Sequence, residues 1–143
     1  MTLPLAEILM DHYSEGRWPE VIIPVPLHRK RLRSRGFNQA HLLAKSLVKQ
    51  LPSVATRVIK TDLIKRQVNT PSQQGLTAKE RRKNIREAFS LNKKVEYQHV
   101  AVIDDVVTTA ETISEISRLL KKNGVEKVDI WCLARTPETN KQG

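Results

Sequence analysis

The chain has a single cysteine, Cys132, which excludes an internal disulfide and any zinc site built from several thiolates. Set in VDIWCLA between Trp131 and Leu133, with no neighbouring histidine or cationic cluster to activate it, this thiol is expected in the core rather than as a nucleophile. Aromatic residues make up only 4% of the sequence, too few for a platform on which single-stranded nucleic acid would stack. No segment approaches the roughly 18 to 20 apolar residues of a membrane span. The opening MTLPLAEILMDHYSEGRW lacks both a basic leader and a long apolar stretch before a small-residue cleavage site, so the expected location is cytoplasmic. Acidic residues are also scarce: 15 Asp and Glu face 25 Lys and Arg, a formal charge of +10. Such a field attracts polyphosphates, nucleic acid and acidic proteins alike, so the distribution of the charge matters more than its total.

What is present fits one α/β domain over residues 1–143. Leu3, Leu5, Ile8, Leu9 and His12 recur at helical spacing, and Leu42, Leu43, Leu47, Val48 and Leu51 predict a second helix that Asn38 would cap. VIIPV, residues 21–25, reads as a buried strand ended by Pro24 and Pro26, with a basic loop after it; a weaker strand is expected near 57–60. RQVNTPSQQGLTA is polar and aperiodic, so 66–79 is expected to be a flexible loop. Thr77 and Glu80 then form the signature of a capping box for a helix over 78–88, with a short strand at 89–91. His99 to Ile103 is continuously apolar. With a helix over 112–122 ended by Asn123 and Gly124, and a strand over 125–133, it makes a βαβ unit and hence a central, mostly parallel sheet flanked by helices.

The candidate site lies where that unit turns from strand to helix, in VAVIDDVVTTAET, residues 100–112. Ligands of open α/β sheets bind beyond the carboxyl ends of the strands. Backbone amides over Thr108, Thr109, Ala110, Glu111 and Thr112, with the three threonine hydroxyls, suit a phosphate monoester. Asp104 and Asp105 are badly placed for phosphate but suit vicinal ribose hydroxyls or a magnesium ion. Together these describe a ribose 5-phosphate; the plainer alternative is that the two acids merely cap the turn. The basic residues cluster in two places. Arg29, Lys30, Arg31, Arg33 and Arg35 lie in one, and Lys79, Arg81, Arg82, Lys83 and Arg86 in the other. The first group is the candidate pyrophosphate site, two or three of its members meeting phosphate and the rest facing water. His28, His41 and His99 lack the spacing of metal ligands, and His28 stands out only because it adjoins this group.

The acidic pair and threonine loop resemble the phosphoribosyl pyrophosphate signature of type I phosphoribosyltransferases. IPVPLHRKRLRSRGFNQAHLLA resembles the corresponding stretch of the ComF/GntX family, competence-related or gluconate-linked proteins with a phosphoribosyltransferase domain. Gln74, Leu76, Glu80, Arg81, Asn84 and Ala88-Phe89 are similar to that family as well, as is the closing WCLART, so the resemblance runs over 19–136 with its motifs in one order. It implies a type I phosphoribosyltransferase-like fold, binding of phosphoribosyl pyrophosphate or a nucleotide with Mg held through the substrate and Asp104 and Asp105, and a lid over 66–79. A cysteine-rich, zinc-ribbon-like segment that members often carry at their start is not in this sequence. The family usually has glycine where this chain has Ala110 and rarely an acid at Glu111, a pattern that would strain or repel at the phosphate; Thr108 replaces the acidic base of purine-salvage relatives. Two functions stay open: transfer of phosphoribosyl to an unidentified nucleophile, and a non-catalytic nucleotide-sensing or DNA-uptake role through the basic surface. No catalytic residue and no oligomeric state follow from the sequence.

Overall fold

The fold is described from a computed structural model, which describes residues 3–67, 75, 77–107 and 110–135. Its frame is a parallel three-stranded sheet in the order β1-β4-β5, formed by Val21–Pro24, His99–Val107 and Lys127–Arg135. Val21 pairs with Val100, and Val100 in turn with Val128, so that β4 is central. A second, antiparallel pair joins Ile64–Arg66 (β2) to Phe89–Leu91 (β3). The expected strand near 57–60 is reduced to one parallel bridge, Ile22 to Ile59, flanked by hydrogen bonds from Ile22 to Val58 and from Lys60 to Ile22. Pro52 and the polar run before Leu63 leave it too little apolar sequence to extend further.

Alternation along the strands splits the core in two, as a pleated backbone requires. Ile22, Ala101, Ile103 and Trp131 face helices Leu3–His12 (α1) and Gln39–Gln50 (α3), meeting Leu5, Leu9, Leu43 and Leu47. Val21, Ile23, Val100 and Val102 face the opposite layer, with Ile116 and Leu120 of helix Ala110–Lys122 (α5) and Phe89 of the hairpin. Both faces of β1 and of the first half of β4 are thus covered, which is why 21–25 and 100–103 read as continuous apolar runs. The inward stripe of α1 is Leu5, Ala6 and Leu9, continued by Tyr13 just past its end; Ile8, expected inside, is 63% exposed. Leu42 of α3 likewise lies outward while Leu43, Ala44 and Leu47 are buried.

Three local differences bear on the site. The segment after Pro26 is not wholly a loop, since Arg29–Arg35 forms a helix of about two turns (α2) with no buried residue, ended by Gly36 at φ 82°. A left-handed residue closes the helix there, and glycine takes that conformation without cost. The strand expected to end at Ile103 continues to Val107, because Asp104 pairs with Cys132 and Val106 with Ala134. Ala110 already begins α5, and among the described residues positive φ occurs only at Gly36, Gly75 and Gly124, so the strain expected at Ala110 does not arise. Ala78–Arg86 forms the predicted helix (α4), and its capping box closes reciprocally: the Thr77 N–H donates to Glu80 Oε1 at 2.8 Å and the Glu80 N–H to Thr77 Oγ1 at 3.1 Å. No helix among the described residues is long and apolar enough to cross a membrane.

Candidate functional site

Two recesses meet at the carboxyl end of the sheet. The first, of about 190 Å³, is walled by Val25 to Leu27 after β1, Arg31 and Arg35 of α2, Asn38 at the start of α3, Arg66 ending β2, and Asp104, Asp105, Thr112 and Ile113. The second, of about 370 Å³, is walled by Leu27, His28, Arg29, Lys65, Arg66 and Gln67. Leu27 and Arg66 belong to both, so the two form one cleft whose carboxylates all lie at the first, acidic end, beside Arg31 and Arg35, while the second end is lined by basic groups without an acid among the described residues.

At the acidic end, strand pairing passes from Asp104 to Val106 and leaves Asp105 between paired positions. The Asp105 N–H donates to Asp104 Oδ1 at 2.9 Å. Burial pushes the Asp104 carboxyl up to about 7; the hydrogen bond and the negative charge of Asp105 add to this, while the Asp105 N–H and the Arg66 guanidinium work the other way. Two carboxyls this close cannot both ionise cheaply, so the pair retains a proton until a cation or a set of donors replaces it.

Arg66 is the residue that sequence reasoning missed, having been assigned to the loop. Its guanidinium lies 5.2 Å from the centroid of the Phe89 ring, on the adjacent strand of the hairpin. Burial first, and then the like charge of Arg31, hold its pKa below the usual arginine value, with Asp104 opposing. An arginine keeps its proton regardless, so the cleft contains two converging cations whose repulsion an anion would relieve. The one signal available in the sequence was its position two residues after the apolar pair Leu63-Ile64.

Of the basic residues predicted for phosphate, Arg31 and Arg35, one helical turn apart, line the first recess and Arg29 lines the second; Lys30 and Arg33 are exposed and wall neither. Thr112 lines the first recess, Glu111 is exposed on the first turn of α5, and Ala110 begins that helix. Thr108 and Thr109, and most of the expected lid over 66–79, lie outside the described residues. Asn38 fixes the relation between these parts. Its Oδ1 accepts from the N–H groups of Ala40 at 2.9 Å and His41 at 3.4 Å, and its Nδ2 donates to the Val25 carbonyl at 3.1 Å. The cap that starts α3 therefore also ties that helix to the end of β1.

A second polar group sits on the α1 side of the sheet, away from the cleft. Tyr13 donates to Asp129 Oδ2, the same oxygen lies 2.8 Å from His99 Nε2, and Trp131 Nε1 donates to the Tyr13 hydroxyl at 3.1 Å. These groups join α1 to β4 and β5 and have no place in the cleft.

The phosphoribosyl transferase domain model matches residues 34–142. Among curated proteins the chain is similar to Competence protein F of Haemophilus influenzae, 46% identical over 122 residues that make up 82% of this chain and 51% of the relative. It is also similar to the DNA utilization protein YhgH of Escherichia coli strain K12, at 38% identity over 94% of this chain and 58% of the relative. Competence protein ComFC of Bacillus subtilis is 32% identical over 81% of this chain and 45% of its own length. The chain thus spans about half the length of these relatives. Among solved structures, a hypoxanthine-guanine phosphoribosyltransferase from Bacillus anthracis superposes with a TM-score of 0.53 at 13% identity, covering 94% of this chain and 66% of that one. The hypoxanthine phosphoribosyl transferase of Trypanosoma cruzi gives 0.52 at 16% identity, over 94% of this chain and 71% of the other. At such identities the likeness is one of fold, and that fold is the type I phosphoribosyltransferase one.

Proposed function

Since the chain belongs to the ComF family of competence and DNA-utilisation proteins and carries a phosphoribosyl transferase domain, we propose that its cleft binds magnesium phosphoribosyl pyrophosphate and transfers the phosphoribosyl group to a nucleophile. The observation that carries this reading is the junction of the two recesses at Leu27 and Arg66. A molecule with a pentose at one end and a diphosphate at the other matches a cleft with carboxylates at one end and cations at the other. Asp104 and Asp105 accept hydrogen bonds from the ribose hydroxyls. The first turn of α5, with Thr112, faces the 5-phosphate. Arg29, Arg31, Arg35, Lys65 and Arg66 surround the diphosphate, stabilising charge that grows on it as the C1–O bond breaks.

The acidic pair also fits magnesium by the chemistry of its donors: hard oxygen ligands, adjacent, and holding a proton that a cation would displace. Among the described residues no group of three or more His, Cys, Asp and Glu side chains comes together, so the pair would hold the ion jointly with substrate oxygens. Bound there, magnesium would neutralise negative charge on the diphosphate.

Isothermal titration with magnesium phosphoribosyl pyrophosphate tests the reading. Binding by the wild type and its loss in Asp104→Asn with Asp105→Asn are expected; equal binding by the double variant overturns it. A second reading, in which the fold senses nucleotides or assists DNA uptake without catalysis, is favoured by one observation. The five cations of α2 and those of α4 lie on two exposed helices, and only three of the α2 residues wall the cleft.

A further inference from the structure

His28 is not used in the reading above, and its geometry is specific. It precedes α2 in extended conformation, φ −63° and ψ 148°, and its Nδ1 accepts the Lys30 N–H at 3.1 Å. The ring also walls the cationic recess beside Arg29, Lys65, Arg66 and Gln67. In a neutral imidazole one nitrogen accepts and the other carries the hydrogen. An Nδ1 engaged as acceptor therefore leaves the hydrogen on Nε2. A second proton, on Nδ1, would set donor against donor and break the cap.

We propose that His28 offers this fixed Nε2–H to a phosphoryl oxygen of a diphosphate in the second recess, as a neutral hydrogen-bond donor that contacts the leaving group. The inference rests on the phosphoribosyl pyrophosphate reading and adds a residue to it. No proton is transferred: when C1–O breaks, the electron pair stays on the departing oxygen, and the Nε2–H and the surrounding guanidinium groups stabilise it. A neutral donor has a use among so many cations. It gives direction to one oxygen without adding to the repulsion among Arg29, Lys65 and Arg66, and without holding the product by a further full charge.

The role differs from simple capping, and substitutions separate the two. His28→Asn keeps a good N-cap acceptor on a side chain too short to fill the ring's place. His28→Gln extends an amide N–H2 toward the Nε2 position and caps poorly. The probe is inorganic pyrophosphate with magnesium, titrated calorimetrically, with thermal unfolding of each variant alongside. The expected result is affinity about tenfold weaker in His28→Asn at unchanged melting temperature, partly regained in His28→Gln. Nitrogen-15 spectra of the wild-type histidines supply a measurement free of substitution. The His28 pair, assigned by its loss in His28→Asn, should show a protonated Nε2 that shifts at saturating pyrophosphate while Nδ1 stays an acceptor. Unchanged affinity in a folded His28→Asn, or a His28 signal indifferent to saturating pyrophosphate, overturns the inference and leaves the parent reading standing. Absence of both pyrophosphate and phosphoribosyl pyrophosphate binding in the wild type overturns both.

Discussion

At the scale of single residues, Asp104 is the group whose energetics most plainly favour a ligand over folding. Its carboxyl titrates near 7 in the folded protein, above its ordinary value of 3.8, because burial and Asp105 disfavour the charge. The folded state therefore holds a proton that the unfolded chain releases, and this contribution to stability is fully present below 3.8 and is lost as the pH rises from there through about 7. Asp104→Asn removes the titration. Its melting temperature should match the wild type near pH 3, below the unfolded carboxyl value, and exceed it near pH 8, by about 1 kcal/mol or ~3 °C, while phosphoribosyl pyrophosphate binding is lost. Thermal melts at the two pH values check the sign. Asp129 runs the opposite way. Burial raises its pKa, but hydrogen bonds from Tyr13 and His99, together with the charges of His99 and Lys127, outweigh burial and hold it below the ordinary carboxyl value. Its contribution is present at neutral pH and lost as the pH falls through that depressed value. Tyr13→Phe, which also leaves the Trp131 N–H without its acceptor, should cost about 1–2 kcal/mol at pH 7 and less in acid, measured by denaturant unfolding at pH 7 and pH 3. The Asp104-Asp105 pair could be singled out in the sequence because two acids at the end of an apolar strand have no packing purpose. Tyr13 and Asp129 could not, since they stand 116 positions apart and only packing joins them.

At the scale of elements, the cap residues were legible because capping is local chemistry. Asn38 and the Thr77–Glu80 box take the roles their spacing predicts, and Gly124 ends α5 at φ 101°. Helix α2 was not legible: RKRLRSR has no apolar stripe and buries nothing, so no periodicity marks it. What holds it is the pair of ends, His28 before and Gly36 after, whose N–H donates to the Leu32 carbonyl at 2.7 Å. The continuation of β4 past Ile103 was equally hidden, because its partner, β5, and not its own composition, extends it. Asn38 is where element and site meet, since it caps α3, ties to Val25 and walls the first recess. Asn38→Ala should destabilise the fold by about 1–2 kcal/mol, and Asn38→Asp, which keeps the cap but loses the donor to Val25, by less. Both should weaken phosphoribosyl pyrophosphate binding severalfold by loosening the cleft wall, and calorimetry beside chemical unfolding separates the two effects.

At the scale of the whole molecule, the order of layers was readable because each buried strand is a short β-branched run and each covering helix carries an apolar stripe. The cleft was not, because its walls come from the ends of β1, β2 and β4 and the starts of α3 and α5, which only the parallel order β1-β4-β5 and the hairpin beside it bring together. The net charge of +10 acts over this same scale and supplies the means of separating the two functional readings. A small ligand in the cleft meets a few cations at fixed positions. A single strand of DNA instead meets the basic surface at many points and releases a counterion at each, so its affinity should fall with salt at a slope of about −0.7 per phosphate neutralised. Arg82 and Lys83 lie exposed on α4 and wall neither recess. Arg82→Glu with Lys83→Glu should therefore lower oligonucleotide affinity and flatten its salt slope by about one unit or more, leaving phosphoribosyl pyrophosphate binding unchanged. Asp104→Asn with Asp105→Asn should do the converse. Fluorescence anisotropy of a labelled oligonucleotide across a salt series, beside calorimetry with the small ligand, reads both. If one set of substitutions abolished both kinds of binding in folded protein, cleft and basic surface would be a single site, and the polyanion it serves would be the nucleic acid.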